Sequence, residues 1–255
     1  MGLRTKIRKF LYTRKFSKKK YLTNINKKNI LITGANSGIG LALTKRFLEL
    51  DNKVLAVYRE NSQNLINIKD SNLSIIKYDL KKIDKSENFE NKIKETSVDL
   101  IINCAGVFGP SFENQQIENL DFEKFQEVLM VNSISILKLI QIMMNHKIST
   151  KNLEILVNIS SDAGSIDLNN EGNAYMYRAS KTALNSITKN MSIDLMARFK
   201  TIVFAIDPGN VQSGMNPGGT LKADVCANLI INLISSNVQL LNGKFVNLLG
   251  DELPW

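Results

Sequence analysis

Thr33-Gly34-Ala35-Asn36-Ser37-Gly38-Ile39-Gly40 is the stretch that decides the fold. An apolar, β-prone run (NILIT, residues 29–33) precedes it, and a helical pattern at residues 38–50 follows it. Three glycines between a strand and a helix let the backbone approach a pyrophosphate, whose charge then meets the positive end of the helix. No Lys-Ser/Thr pair follows the last glycine, which excludes a Walker phosphate loop. Three residues separate the first two glycines, so the pattern also departs from the Gly-x-Gly-x-x-Gly form.

Outward from this turn, short apolar runs alternate with longer helical patterns. Strands are expected at residues 29–33, 53–57, 74–78, 99–103, 154–159, 201–206 and 244–248. Helices are expected at 38–50, 84–96, 121–147, 173–199 and 220–235, with a weaker pattern at 60–70. Runs such as ILIT, LIINC and ILVNIS are apolar throughout, as strands buried on both faces are. Strands with helical crossovers predict an α/β fold, a Rossmann-type doubly wound sheet of seven parallel strands. No repeat or interdomain linker divides residues 29–255, so they form a single domain. Ligands of such sheets sit at the carboxyl ends of the strands, where the strand order reverses.

The formal charge of +9 is unevenly placed. Eleven of the 33 Lys and Arg lie in residues 1–28, which hold no acid, leaving 22 basic against 24 acidic side chains in the rest. The basicity therefore belongs to an N-terminal extension, expected to be flexible and solvated. The spacing of Ile7, Phe10, Leu11 and Arg14 leaves open a short amphipathic helix on an anionic membrane surface. A nucleic-acid binder more often carries its basic patch on the fold, so no nucleic-acid partner is expected. The extension lacks the continuous apolar core of a secretory signal, and Lys6 stands where a myristoylation signal wants Ser or Thr. No apolar run approaches the ~20 residues of a membrane-spanning helix, and a cytoplasmic location is expected. Cys104 and Cys226 are far apart in sequence and expected to be free thiols. With His146 as the single histidine, expected on the surface, most structural zinc sites are excluded and no metal is expected.

The later strand ends carry the candidate chemistry. Strand two runs into Tyr58-Arg59-Glu60, without an acid at its end to bind the adenosine ribose of NAD. Arg59 suits a 2′-phosphate instead, through its forked donors. Strand three ends at Asp79-Leu80, and Asp79 reads as either an adenine contact or a turn residue. Strand four ends at Asn103-Cys104-Ala105-Gly106, small residues that let a ligand lie across the chain. Ser160-Ser161-Asp162-Ala163-Gly164 follows strand five. Tyr177-Arg178-Ala179-Ser180-Lys181 places Tyr and Lys four apart, on one helix face. A free tyrosine has a pKa of about 10, and a nearby ammonium lowers it. The same pair could also be a solvated surface pair, and Asn132, within Met130-Val131-Asn132-Ser133, could be an ordinary polar helix residue.

Taken together, the glycine turn, the Asn-Cys-Ala-Gly segment, the Ser-x-x-Gly pattern and Tyr-x-x-x-Lys closely resemble the short-chain dehydrogenase/reductase family. The resemblance runs from Lys28 to Trp255. It is closest to the carbonyl reductase subgroup of sniffer and C-factor, through YRASKTALNSITKNMSIDL (residues 177–195) and GKFVNLLGDELPW (residues 243–255). It implies an oxidoreductase interconverting a carbonyl and an alcohol with NADP or NAD, NADP being favoured by Arg59.

It further implies catalytic roles for Ser161, chosen over Ser160 by the motif, and for Tyr177, Lys181 and Asn132. Ser161 would polarise the carbonyl, Tyr177 would carry the proton, and Lys181 would lower the tyrosine pKa and bind ribose. Asn132 would kink its helix and hold a water leading to Lys181. The cofactor would meet Gly34, Asn36, Ser37, Gly38, Ile39, Gly40, Arg59, Asp79, Leu80, Asn103, Ala105 and Gly106. It would also meet Tyr177, Lys181, Pro208, Gly209, Val211 and Ser213, the last four lying in Asp207-Pro208-Gly209-Asn210-Val211-Gln212-Ser213 after strand six.

Three departures from the family pattern stand out: Ser37 where the glycine turn often carries a second basic residue, Cys104 where a second Asn is usual, and 16 residues from Ser161 to Tyr177, a slightly long gap assigned to the turn-prone Asn169-Asn170-Glu171-Gly172. Residues 214–222, with Met215 and Pro217, read as a mobile loop over the substrate. Partners implied are a small carbonyl or alcohol substrate and a second copy of the chain, in a homodimer or homotetramer through the helices at 121–147 and 173–199. The rival reading is a non-catalytic, regulatory nucleotide-binding protein of the same fold.

Overall fold

The computed structural model describes residues 25–60, 63–82, 87–145, 152–236 and 238–255. The strands are β1 (Asn29–Thr33), β2 (Lys53–Tyr58), β3 (Leu73–Lys77), β4 (Leu100–Asn103), β5 (Ile155–Ile159), β6 (Ile202–Asp207) and β7 (Phe245–Asn247). They form one sheet in the order β3-β2-β1-β4-β5-β6-β7, every pairing parallel. The strand order reverses between β1 and β4, so the crevice of a doubly wound sheet opens there.

The period-2 alternation within the apolar strands sorts side chains onto two cores. Ile30, Ile32, Val54, Ala56, Leu100, Ile102, Val157 and Phe204 face one layer, with α1 (Gly38–Glu49) and α7 (Ala223–Ser235). Leu31, Leu55, Val57, Ile101, Leu156 and Val203 face the other, with α3 (Glu87–Glu95), α5 (Ser135–Asn145) and α6 (Tyr175–Phe199). Burial on both faces is why these strands read as unbroken apolar runs.

Several helices differ from their expected limits. The pattern at 60–70 forms only the short α2 (Gln63–Ile66). The expected single helix at 121–147 is two: α4 (Phe122–Leu129) and α5, joined by a π-helical turn at Met130–Ile134. Asp121 caps α4, accepting from Glu123 N (2.9 Å) and Lys124 N (3.0 Å). The π turn lies where Asn132 gives its amide to another part of the chain. Contrary to the expectation that no stretch is apolar enough, Phe122–Asn145 together is long and apolar enough to cross a membrane. More than half of its most apolar stretch is buried in this fold, where it packs as a core helix.

The helix expected from 173 begins at Tyr175, because Asn173 (φ 55°) and Ala174 (φ 48°) are left-handed. The helix expected from 220 begins at Ala223, because Thr220 N and Leu221 N are bonded to Asn210 O instead.

Residues 25–28, counted with the basic extension, are tied to the body. Lys27 N donates to Asp51 O (3.0 Å), Lys53 N to Lys28 O (2.9 Å), and Lys28 Nζ pairs with Glu154 (2.6 Å). The readings of the rest of the extension and of His146 fall outside the described residues.

Candidate active site

The sheet's carboxyl edge opens into a cleft of about 1400 Å³. At one end is the glycine turn. Gly34 has φ +66°, and a Cβ there would stand 2.8 Å from Ala105 Cα; a Cβ on Gly40 would stand 2.3 Å from Gly34 O. The first glycine therefore lets β4's exit pass close by, and the third seats α1 on the turn. Ser37, at the helix N-cap, makes no side-chain cap bond, leaving the positive end of α1 facing the cleft. Asn36, Ser37, Gly38 and Ile39 line the cleft, whereas Gly40 lies beneath.

Arg59 lines the same end, exposed, its guanidinium 4.0 Å from Glu60. Asp79 and Leu80 form the adjoining wall. Asp79 Oδ1 accepts from Lys81 N (3.0 Å), so its turn role is real and leaves it on the cleft wall. A narrow glycine cradle, an uncapped helix end and an exposed guanidinium fit a phosphorylated dinucleotide.

Asn103 is turned inward, away from the cleft. Thr33 Oγ1 donates to Asn103 Oδ1 (3.0 Å), Asn103 Nδ2 to Asn158 Oδ1 (2.9 Å), Asn158 Nδ2 to Thr188 Oγ1 (2.9 Å), and Thr188 Oγ1 to Leu184 O (2.7 Å). This buried chain ties the strand before the glycine turn to the helix of Tyr177 and Lys181. Thr33 Oγ1 also accepts from Cys104 N and Ala105 N, both at 3.1 Å, shaping the small-residue segment that Ala105 and Gly106 present to the cleft.

At the other end stand Ser161, Tyr177 and Lys181, all on the cleft. Both serines line the cleft, but their hydroxyls differ in what they bond. Ser160 is buried and donates to Asn185 Oδ1 (2.6 Å), while Ser161 opens a 3-10 turn (Asp162–Gly164) and faces the cleft. Phe108 packs on Tyr177, ring centroids 5.2 Å apart. Lys181 is 4% exposed, and its Nζ donates to Ile159 O (2.8 Å), 5.8 Å from the Tyr177 ring centroid.

Asn132 sits behind this wall. Its amide clamps both backbone groups of Val107, N–H to Oδ1 and Nδ2 to O, each at 2.8 Å, and donates to Ser180 Oγ (2.9 Å). Ser180 Oγ in turn donates to Tyr177 O (2.7 Å). A Cβ on Gly106 would stand 3.5 Å from Asn132 Oδ1 and 3.6 Å from Lys181 Nζ, so both groups converge on one point beneath the cleft.

Burial dominates the electrostatics of this wall. Burial pushes Tyr177 up to about 12, helped by Asp207 and Asp162 and opposed by its hydrogen bond with Ser161. Burial also draws Lys181 down to about 8, opposed by Cys104. The Lys181 ammonium is bonded to a backbone carbonyl, 5.8 Å from the Tyr177 ring centroid. Burial raises the Cys104 thiol to about 12, which leaves it an un-ionised, half-buried side chain at neutral pH.

Beyond β6, Pro208, Gly209, Val211 and Ser213 line the cleft. Ser213 lies over the glycine turn, its Cβ 3.4 Å from where a Cβ on Gly38 would be. The loop at 214–222 is closed at its base by Gln212 N to Leu221 O (2.8 Å).

Sequence reasoning missed Gln115. It is wholly buried, donates to Phe108 O (3.0 Å) and Pro110 O (3.2 Å), and accepts from Tyr177 N (3.0 Å). No motif marks it; only the fold brings residue 115 to the start of α6.

Residues 28–222 match the short chain dehydrogenase family. The chain is 30% identical over 169 residues to C-signal of Myxococcus xanthus, covering 66% of this chain and 98% of that protein. The carbonyl reductase Sniffer of D. melanogaster superposes with a TM-score of 0.81 at 26% identity, over 90% of this chain and 100% of that one. An NADPH-bound carbonyl reductase from chicken fatty liver superposes with a TM-score of 0.79 at 28% identity, over 91% and 100%. The chain belongs to the short-chain dehydrogenase/reductase family. It is an oxidoreductase that works between CH–OH and C=O with a nicotinamide dinucleotide.

Proposed function

We propose that the chain reduces a small carbonyl compound with NADPH, using Ser161, Tyr177, Lys181 and Asn132. The observation that carries the reading is the convergence of Ser161, Tyr177 and Lys181 on one wall of a cleft whose other end is the glycine turn. NADPH, when bound, supplies the hydride. Gly34 to Ile39 and the N-terminus of α1 would hold its pyrophosphate, and Arg59 would pair with its 2′-phosphate. Lys181 would hold its nicotinamide ribose. Ser161 donates to the carbonyl oxygen as negative charge develops there.

Tyr177 gives that oxygen its proton, and a phenol held neutral by burial is the right form for a donor. Asn132 orders the backbone of Val107 beside Lys181 and supports the route by which the proton is replaced. The test is NADPH titration with a panel of aldehydes and ketones, on wild type and Tyr177→Phe. Turnover that survives Tyr177→Phe unchanged ends the assignment; NADPH binding with no turnover by the wild type leaves the regulatory reading.

Two partner readings accompany this one. We propose a homodimer or homotetramer through the face of α5 and α6, where Ile134 and Leu137 are exposed beside a groove of about 650 Å³. Light scattering on wild type and Leu137→Glu tests it. We propose that the basic extension is a solvated arm in a cytoplasmic protein, in at most weak contact with anionic membranes. Salt-dependent binding to anionic vesicles, lost on removing residues 1–24, is the signature of that contact.

A further inference from the structure

Residues 248–255 return from β7 to the catalytic turn. Asn247 Oδ1 accepts from Leu249 N (2.8 Å) and Asp251 N (3.1 Å), and Gly250 has φ +84°, which reverses the chain. Leu253 N then donates to Phe245 O (2.8 Å), and the Trp255 ring stacks on Phe245 with centroids 5.8 Å apart. In that seat Trp255 O accepts from Ile166 N (3.0 Å) and from Ser165 Oγ (3.2 Å).

Ser165 directly follows the 3-10 turn that Ser161 opens. Within the turn, Ala163 N donates to Ser161 Oγ (3.2 Å) and Gly164 N to Ser161 O (2.9 Å). Its near side is held by α6. Gly164 O accepts from Thr182 Oγ1 and Asn185 Nδ2, both at 3.1 Å, and a Cβ on Gly164 would stand 2.8 Å from Lys181 C. The turn is therefore gripped between the catalytic helix and the strap at 248–255, which holds its far end.

We infer that Trp255 is a positioning residue for Ser161: its ring, seated on Phe245, fixes the carbonyl that anchors the far end of the serine's turn. A donor to a developing oxyanion works over a few tenths of an ångström, so loosening one anchor of the turn weakens Ser161 without touching the cofactor end. This rests on the role proposed for Ser161.

The test is a double-mutant cycle, with NADPH and 4-nitrobenzaldehyde as substrates. Trp255→Ala is expected to lower kcat about tenfold in the wild-type background and less than about twofold in Ser161→Ala, with the NADPH Kd unchanged and Trp255→Phe restoring most of the rate. A merely structural role lowers the melting temperature and the same factor of kcat in both backgrounds, and that result overturns the inference, as does an unchanged kcat. If Trp255→Ala does not fold, Ser165→Ala removes the side-chain donor to Trp255 O with the ring in place; a loss of about threefold that vanishes in Ser161→Ala is then expected. An unchanged kcat in Ser161→Ala alone removes the role of Ser161 and this inference with it, leaving the carbonyl reductase reading to stand on Tyr177. Absence of turnover with intact NADPH binding removes both.

Discussion

The two ends of the cleft are built by different means. The cofactor end is mostly backbone: three glycines, the start of α1 and the exits of β2 and β3, all within residues 29–80. The catalytic end is side chains, and its parts come from β5, α6, the π turn after α4 and the strap after β7. Backbone recognition needs small residues at fixed spacing, which a local motif can carry. Side-chain chemistry needs groups aimed from several directions, which a motif can only hint at.

The largest expected effect lies at the catalytic end. Tyr177→Phe is expected to lower kcat by about 10³ with the NADPH Kd within twofold, and Ser161→Ala by about 10². Both are read by steady-state kinetics beside fluorescence titration, and a parallel loss of NADPH affinity breaks the separation of the two ends. The cofactor end answers in the opposite sense. Gly34→Ala places a Cβ at φ +66°, 2.8 Å from Ala105 Cα. It is expected to cost about 2 kcal/mol, lower the melting temperature by about 5 °C and weaken NADPH at least tenfold. Retained affinity and stability there show that the turn tolerates a side chain.

Arg59→Ala sharpens the cofactor end further. Its guanidinium is exposed, so the expected change is about tenfold in NADPH Kd with NADH within twofold. Equal weakening of both cofactors denies Arg59 the 2′-phosphate.

The smallest effect is in stability against pH. Lys181 falls to about 8 on folding, from 10.5. The unfolded chain then binds more protons between those values, so the penalty of a charged buried lysine is present below about 8 and is relieved as pH rises toward 10. Lys181→Met is expected to melt higher than wild type at pH 7, by a margin that shrinks between pH 8 and 10. Above pH 10 Tyr177 acts the other way, its phenol held neutral up to about 12 while the unfolded tyrosine ionises. A constant margin across the window shows that the lysine is not held charged against its burial.

Much of the fold could be read in advance because its signals are local. ILIT and LIINC, apolar on both faces, place central strands wherever they occur, and Gly34 to Gly40 places the crossover that follows β1. The helix limits were less readable. The resemblance implied a kink at Asn132, but the partner held there is Val107, 25 residues away, which no local pattern names. The resemblance implied a cofactor contact at Asn103, and only the structure shows its side chain bonded to Thr33 and Asn158 on the neighbouring strands.

By itself the sequence determined the class of fold, the turn suited to a pyrophosphate, the Tyr177–Lys181 pair and the concentration of positive charge in residues 1–28. Each depends on residues a few positions apart, whose relative geometry a strand, a turn or a helix already sets. Only the tertiary structure decided that the Ser160 hydroxyl is taken by Asn185, that Lys181 is drawn down and Tyr177 pushed up by burial, and that Gln115 and Trp255 brace the catalytic wall. Those outcomes depend on which distant groups arrive within about 3 Å and how much water they exclude, and only the packed chain sets that.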